Sequence, residues 1–236
     1  KEAVQVLQGH FVSKEAEYQK YCQIDILEND PAGMIKRLQS YTERLTHIPF
    51  YTQVEDIIKV GIARYKEKYL PGIKSEDPFV LYEKYSRRDV SLLMNCGKDL
   101  SSVMYGMKRI ENDVFIFITY HKEESQDEKN YVDGKPDYAD AFEDNLIFKW
   151  DSQIGKGLDS SYMKDVLGAD RKHLFVKKSD AETSFYYMGQ FDVLEARNAQ
   201  KEDNRGRMQP ITKVTMKMHH AVREDLLRYL QSHITA

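Results

Sequence analysis

The residues best suited to chemistry form one short run, Asn145 to Gln153, in which a strand-like segment ends in a tryptophan followed by polar residues. Trp150 is the only tryptophan of the chain, and Asp151, Ser152 and Gln153 can each accept a hydrogen bond. Such a run could contact nucleobases, with the indole as a stacking surface and Gln153 as an amide that reads a base edge. A second interpretation stays open, in which Trp150 packs inside the domain and Ser152 and Gln153 fix the turn beneath it.

Lysines in or beside the predicted strands supply the positive charge that phosphate contacts need. Aromatic residues such as Tyr120 and Trp150 are interleaved with these lysines. Cations for phosphates and aromatic faces for bases favour a nucleic-acid surface. Strands also commonly alternate buried aromatic residues with solvated lysines, so a structural role explains the same pattern. The candidate DNA-binding residues are Lys122, Lys149, Trp150, Ser152, Gln153 and Lys177.

Residues for catalysis are harder to find. Asp137, Asp140 and Glu143 lie in one acidic stretch and could hold metal ions for a nuclease, which needs clustered carboxylates. The next strand, however, has no Glu-x-Lys or Asp-x-Lys triplet, and a solvated loop explains the acidic residues equally well. The nucleotide-binding pattern GxxxxGK followed by Ser or Thr is absent, and the histidines lack metal-ligand spacing. The sequence therefore assigns no catalytic residue, metal or cofactor to this chain.

Composition and periodicity predict an α+β protein in two parts. The chain has 236 residues, of which 41% are hydrophobic, and a formal charge of −3, so its surface is not uniformly basic. Amphipathic spacing predicts a helical bundle or connector over 1–75. Alternating segments predict a mixed, mainly antiparallel, β-barrel-like domain with flanking helices over 76–236. The predicted helices include 32–46 and 52–70, the predicted strands are 113–120, 146–150, 173–177, 185–194 and 211–218, and the polar stretches 122–140 and 195–209 are predicted surface loops.

Cysteine usage and hydropathy indicate the compartment. Cys22 and Cys96 lie in different predicted helices without metal-ligand spacing, which indicates reduced thiols and a cytoplasmic protein. No stretch approaches the about 18 apolar residues that span a bilayer, so no membrane partner is predicted. Because the chain begins with Lys1 rather than Met, we expect it to be part of a longer polypeptide or a processed chain.

A pattern over about residues 80–232 resembles a known family. It resembles the uncharacterised domain at the carboxyl end of many bacterial DEAD/DEAH-box (superfamily two) helicases, some of which look like restriction or phage-defence proteins. The resemblance implies an accessory part of a DNA-translocating enzyme, with ATP and Mg²⁺ used by a helicase motor upstream of this chain. It brings no catalytic residue with it. The segments that carry it are Arg87 to Val90, Phe117 to Lys122, Tyr138 to Asp140, Phe148 to Gln153, His173 to Lys177 and Phe185 to Gly189.

Three functional hypotheses follow from the sequence and the resemblance. The first is DNA contact by the accessory domain, in the form of target or modified-base reading with Trp150 as one wall of a pocket. The second is a protein-interaction or autoregulatory module that docks on the helicase motor of the same polypeptide, favoured by the near-neutral charge and the tyrosine-rich helices. The third is a metal-dependent nuclease that uses Asp137, Asp140 and Glu143.

Overall fold

The computed structural model describes residues 26–29, 34–69, 78–96, 98–121, 131–132, 135–136, 140–203 and 205–232. The chain divides into two compact units. Helices and a large, mainly antiparallel sheet are both present, so the predicted α+β class is confirmed. The domain boundary expected near residue 76 stays a prediction. The first unit comprises Lys1–Val80 and Arg87–Ser102, and the second comprises Leu81–Ser86 and Val103–Ala236.

The first unit contains a small antiparallel pair of strands and several helices. The prediction of one helix over 32–46 is wrong for its first half, where Ile35–Arg37 pairs as a strand with Leu27–Asn29. The intervening sequence Asp30-Pro31-Ala32-Gly33 favours a turn, which suits a hairpin better than a continuous helix. The elements are β1 (Leu27–Asn29), β2 (Ile35–Arg37), α1 (Gln39–Arg44), α2 (Ile48–Tyr69) and α3 (Arg87–Leu93), followed by a 3₁₀ turn at Ser101–Val103.

Helix α2 follows the predicted segment 52–70 but begins earlier, at Ile48. Its apolar residues Ile57, Ile58, Ile62 and Tyr65 are exposed. The described residues therefore do not pack them into the predicted bundle. The sequence also predicts a helix capped by Ser13, and that segment lies outside the described ranges. Among the residues that the structure describes, no helix is both long enough and apolar enough to cross a membrane.

The second unit is built on an eight-stranded sheet. Seven strands follow one another in the order β4-β5-β10-β11-β12-β9-β8, and β3 pairs with β11. Only the β5–β10 pairing is parallel in the described part of this sheet. Its terminal strands β4 and β8 are not paired with each other, so the described strands form no closed barrel. The strands are β3 (Lys84–Tyr85), β4 (Met107–Ile110), β5 (Asp113–His121), β8 (Ala141–Phe142), β9 (Ile147–Asp151), β10 (Arg171–Ser179), β11 (Phe185–Glu202) and β12 (Met208–Met218).

Two short helices and one further strand pair complete the second unit. Helix α4 (Ser161–Leu167) begins after Ser160, whose side chain accepts a hydrogen bond from the backbone N–H of Met163. The apolar spacing over Val222 to Leu230 also predicts a closing helix, and helix α5 (Glu224–Gln231) forms there and buries Leu226 and Leu230. The pair formed by β6 (Tyr131–Val132) and β7 (Lys135–Pro136) lies within the predicted loop 122–140.

The core lies where the apolar runs of the sequence are longest. Residues 114–118 of β5 and 174–176 of β10 are buried without alternation. An uninterrupted apolar run is expected for a strand that is covered on both faces. The rings of Phe117 and Phe175 stack across the two strands with centroids 5.0 Å apart. This parallel pair contributes a large share of the buried apolar residues of the second unit.

Strand β11 links the two halves of the sheet. Its first part pairs with β10, and its second part, from Phe191 onward, pairs with β12. The register shifts between Val193 and Glu195, a bulge that re-aims the strand. The predicted surface loop 195–209 is therefore wrong for most of its length, since 195–202 belongs to β11. The polar sequence obscured this strand because it is exposed on both faces.

Candidate nucleic-acid interface

Trp150 lies near the end of β9 and points into the domain. Only 5% of its surface is exposed. The Tyr162 ring of α4 lies 6.3 Å from the indole, centroid to centroid. This placement matches the structural interpretation of the sequence, in which Trp150 supports β9. Contact between Trp150 and DNA stays a prediction.

Ser152 is buried directly after β9 and extends the strand pairing through its side chain. Its backbone N–H donates to the carbonyl of Thr212 at 2.9 Å, and its Oγ accepts the N–H of Thr212 at 2.8 Å. The same hydroxyl donates to the carbonyl oxygen of Lys156 at 2.7 Å. The Ser152 hydroxyl thus takes the place of a strand carbonyl. Gln153 is exposed, and its Nε2 donates to the carbonyl of Tyr105 at 3.3 Å.

Lys177 lies near the end of β10 and contacts residues that follow this strand. Only 9% of this residue is exposed. Its ammonium donates to the carbonyl of Glu182 at 2.9 Å and lies 3.4 Å from the Asp180 carboxylate. These contacts explain the burial of a lysine, because its charge is satisfied locally. Lys122, another candidate, lies outside the described residues.

Lys149 is an exposed candidate, as Gln153 is, and it lies on the sheet itself. Its side chain is 47% exposed, and its ammonium contacts the hydroxyl of Thr215 at 3.2 Å and the carboxylate of Glu143 at 3.4 Å. It points away from the face that buries Trp150, because successive side chains of a strand point to opposite faces. This outer face of the sheet forms a groove.

The groove has a volume of about 430 Å³ and runs across four strands. We call it the charged groove. Two rows of directly opposed residues form its floor, and opposed residues on neighbouring antiparallel strands share one face. One row is Ala141, Lys149, Thr215 and Glu195, and the next is Asp151, Lys213 and Arg197. Phe142, Glu143, Trp150 and Val214 complete the lining.

Each cation of the charged groove lies beside an acid. Lys149 pairs with Glu143, Lys213 lies 3.3 Å from Asp151, and Arg197 lies 3.8 Å from Glu195. The three pairs are partly exposed, and exposed pairs contribute only about 0–1 kcal/mol each. A phosphate could therefore displace these acids at little cost.

Asp151 is the least exposed acid of the charged groove. Burial raises the pKa of its carboxyl above the usual value, and the neighbouring Lys213 opposes that rise. The Asp140 carboxylate also raises this pKa, whereas the more distant Lys201 lowers it. Two lysines thus act on a single carboxylate at this end of the groove.

The acidic residues of the nuclease hypothesis are separated by their contacts. Asp140 is buried and accepts the backbone N–H of Asp151 at 2.9 Å, while Glu143 pairs with Lys149 on the outer face. Asp137 lies outside the described residues. Within the described ranges, no three His, Cys, Asp or Glu side chains come together in a way that could hold a metal ion.

Sequence reasoning missed Arg197, Lys213 and Thr215. The signal for two of them was present, since Lys213 and Thr215 alternate with the buried Val214 and Met216 of a predicted strand. That alternation predicts exposure but does not reveal the neighbours of the strand. Arg197 was hidden in the polar segment that was predicted to be a loop.

The fold and the groove define an α+β domain with a groove of mixed charge on a mainly antiparallel sheet. Residues 79–230 match the family described as a domain of unknown function, DUF3427, and the chain belongs to this family. The match confirms the uncharacterised domain expected over about 80–232. No curated protein matched the chain.

Two solved structures are similar to part of the chain. One is the MspJI restriction endonuclease in complex with a 27-mer oligonucleotide, with 10% identity, a TM-score of 0.31, and coverage of 50% of this chain and 37% of that chain. The other contains the sulfur-binding domain and SRA domain of ScoMcrA complexed with phosphorothioated DNA, with 9% identity, a TM-score of 0.33, and coverage of 65% and 45%. The matched regions span less than half the length of these structures, and TM-scores of this size do not define a shared fold.

Proposed function

We propose that this chain is the carboxyl-terminal accessory domain of a cytoplasmic bacterial DEAD/DEAH-box helicase of the restriction or phage-defence type, and that it contacts DNA through the charged groove. The helicase part rests on the sequence resemblance, which implies a motor that uses ATP and Mg²⁺ upstream of this chain. The DNA part rests on one observation: Lys149, Lys213 and Arg197 come from three adjacent strands and converge on one groove.

The spacing of these cations suits a DNA backbone. Lys149 lies in one cross-strand row, while Lys213 and Arg197 lie in the next, and rows on one face are about 7 Å apart. Neighbouring rows can therefore contact separate phosphates of one strand. The hydroxyl of Thr215, in the same row as Lys149, offers a neutral donor, a common partner for phosphate oxygens.

The balance of charge in the groove limits how tightly it can bind. Three acids offset three cations, so we expect weak, salt-sensitive binding that needs other parts of the whole protein for high affinity. In this arrangement Trp150 and Ser152 act indirectly, because they hold β9 in the position from which Lys149 projects.

A second candidate function is docking on the helicase motor. It is favoured by the exposed apolar residues of α2, among them Ile57, Ile58 and Tyr65. Exposed apolar residues of this size are typical of protein contacts. This function predicts that the isolated chain binds the purified helicase motor and does not bind DNA.

A titration with labelled DNA tests the first proposal. Fluorescence anisotropy with single-stranded, duplex and forked DNA should be measured across a salt series. Three phosphate contacts predict a slope of about −3 in log K against log salt concentration for duplex DNA. The absence of salt-sensitive binding to every form of DNA would contradict the proposal.

Matched variants locate the binding face. Arg197→Ala and Lys213→Ala should each weaken binding severalfold and reduce the magnitude of the salt slope by about 1. Lys164→Ala removes the same charge from an exposed position on α4, outside the groove lining, and should bind as the unmodified protein does. Equal losses in all three variants would mean that only net charge matters and that the groove is not the site.

A further inference from the structure

The hairpin formed by β11 and β12 continues beyond the rest of the sheet. Cross-strand pairs extend from Arg197 opposite Lys213 to Glu202 opposite Met208, whereas β9 pairs with β12 only over Lys213–Lys217. The turn after β9 supports the next part, because the N–H groups of Ser152 and Gly155 donate to the carbonyls of Thr212 and Pro210. Among the described residues, no third strand pairs with 200–202 or with 208–210. We call residues 200–203 and 205–210 the ribbon.

At the tip of the ribbon, the Asp203 carboxylate gathers the described residues around it by hydrogen bonds. Asp203 accepts the backbone N–H groups of Arg205 at 2.9 Å and Arg207 at 3.0 Å. It also accepts Nε of Arg207 at 3.0 Å and Nε2 of Gln209 at 3.2 Å. Gly206 adopts a φ of +73°, which glycine tolerates best. These hydrogen bonds, first that from the Arg207 N–H, lower the pKa of Asp203, so its carboxylate stays ionised within the turn.

The charges that remain on the ribbon surface are mainly positive. Lys201 and Arg205 are exposed, and neither forms an ion pair within the described part of the chain. Arg207 is also exposed, but its guanidinium forms an ion pair with the Asp203 carboxylate at 2.9 Å. Glu202 is the one exposed acid of the described ribbon residues. Met208, 59% exposed, adds an apolar side chain beside these cations.

The position of the ribbon links it to the charged groove. Arg197 lies opposite Lys213 in the groove, and Lys201 lies opposite Gln209 four residues further along the same strands. Residues separated by two or four positions in a strand share one face. Lys201 therefore lies on the same face as the cations of the groove, about 14 Å further along the strands, and the apolar pair Ala199 and Ile211 separates the two rows.

We propose that the ribbon enters the major groove of duplex DNA while the charged groove holds the adjacent backbone. Two strands with their side chains are about 10 Å wide, and the major groove is about 12 Å wide and 8.5 Å deep. Three cross-strand pairs and the turn give the ribbon a length of about 10 Å, which matches that depth. Arg205 at the tip is a residue type that reads guanine edges.

This inference rests on the proposed DNA contact and adds the form of DNA and the element that reads it. The test compares the affinities of Arg205→Ala and Lys201→Ala for a duplex and for a single strand of the same sequence. The proposal predicts about a tenfold loss on the duplex for Arg205→Ala and a smaller loss on the single strand, since only a duplex offers a major groove. The matched control is Arg228→Ala, which removes an arginine of α5 whose side chain is 77% exposed. This variant should bind the duplex and the single strand as the unmodified protein does.

A second measurement identifies the groove that is used. Methyl green, which occupies the major groove, should displace the protein from duplex DNA, whereas netropsin, which occupies the minor groove, should not. Displacement by netropsin alone, or unchanged duplex affinity in both ribbon variants, would overturn the ribbon proposal and leave the charged groove as the contact. If the unmodified protein binds no DNA at all, the proposed function fails and this inference fails with it.

Discussion

Replacement of Ser152 by alanine distinguishes a structural role from a recognition role at the end of β9. The Ser152 Oγ accepts the N–H of Thr212, a residue with no exposed surface. The Lys156 carbonyl that Ser152 also contacts keeps a second donor, the Thr212 hydroxyl at 3.0 Å. Ser152→Ala therefore leaves one buried N–H without its acceptor, and such a group costs about 1–3 kcal/mol. We expect a loss of stability in that range.

The fluorescence of Trp150 can measure this loss of stability in the second unit. It is the only tryptophan and is buried beside Ser152, so its fluorescence during urea unfolding reports on the second unit. Ser161→Ala removes the same hydroxyl from an exposed position at the start of α4 and should change stability by less than about 0.5 kcal/mol. Unchanged stability of Ser152→Ala together with a tenfold loss of DNA affinity would refute the structural role.

Three further predictions test the core, the groove and a surface network. Trp150→Ala should cost about 3–5 kcal/mol of stability, measured by circular dichroism in urea, because it empties a buried site. Unchanged stability would mean that the indole is not a support of β9. Asp151→Asn should strengthen duplex binding by about fivefold at neutral pH, because it frees Lys213 from a carboxylate 3.3 Å away. An unchanged or weaker affinity in the anisotropy assay would argue against phosphate contact by Lys213. Burial alone would raise the pKa of Glu182, but the hydrogen bond from Lys84 and other contacts lower it overall. A lowered acid pKa stabilises the fold above the unfolded value of 4.5 and loses that contribution as the pH falls. The stability difference between the unmodified protein and Glu182→Gln, from urea midpoints at several pH values, should therefore shrink on acidification.

The sequence predicted the elements whose burial is uniform or regular. The apolar run of β5 and the alternation in β12 each allow only one burial pattern, and both strands form as predicted. The prediction missed the second half of β11, because Glu195–Glu202 is exposed on both faces and therefore shows no hydrophobic period. Its pairing depends on the backbone of β12, which a sequence pattern does not report.

The candidate site was predicted in part for a similar reason. Lys149 was correctly placed on a strand beside Trp150, but its neighbours come from β11 and β12, which are distant in sequence. Lys177 carried the same pattern of a lysine near aromatic residues, yet its charge is satisfied by Glu182 and Asp180. Local patterns identify which side chains leave the core, whereas the order of strands in a sheet determines which of them meet.

The β11–β12 hairpin pairs segments that are close in sequence, and this predicts the order in which the strands of the second unit form. A short turn joins β11 to β12, whereas the parallel β5–β10 pair joins residues such as Asp113 and Arg171, which are 58 positions apart. Closing a long loop carries a larger entropic cost than closing a short one, so local pairings form earlier. We expect pulsed amide exchange during refolding to protect the β11–β12 hairpin first and the β5–β10 ladder last. The hairpin that carries the ribbon would then be the template on which the remaining strands assemble.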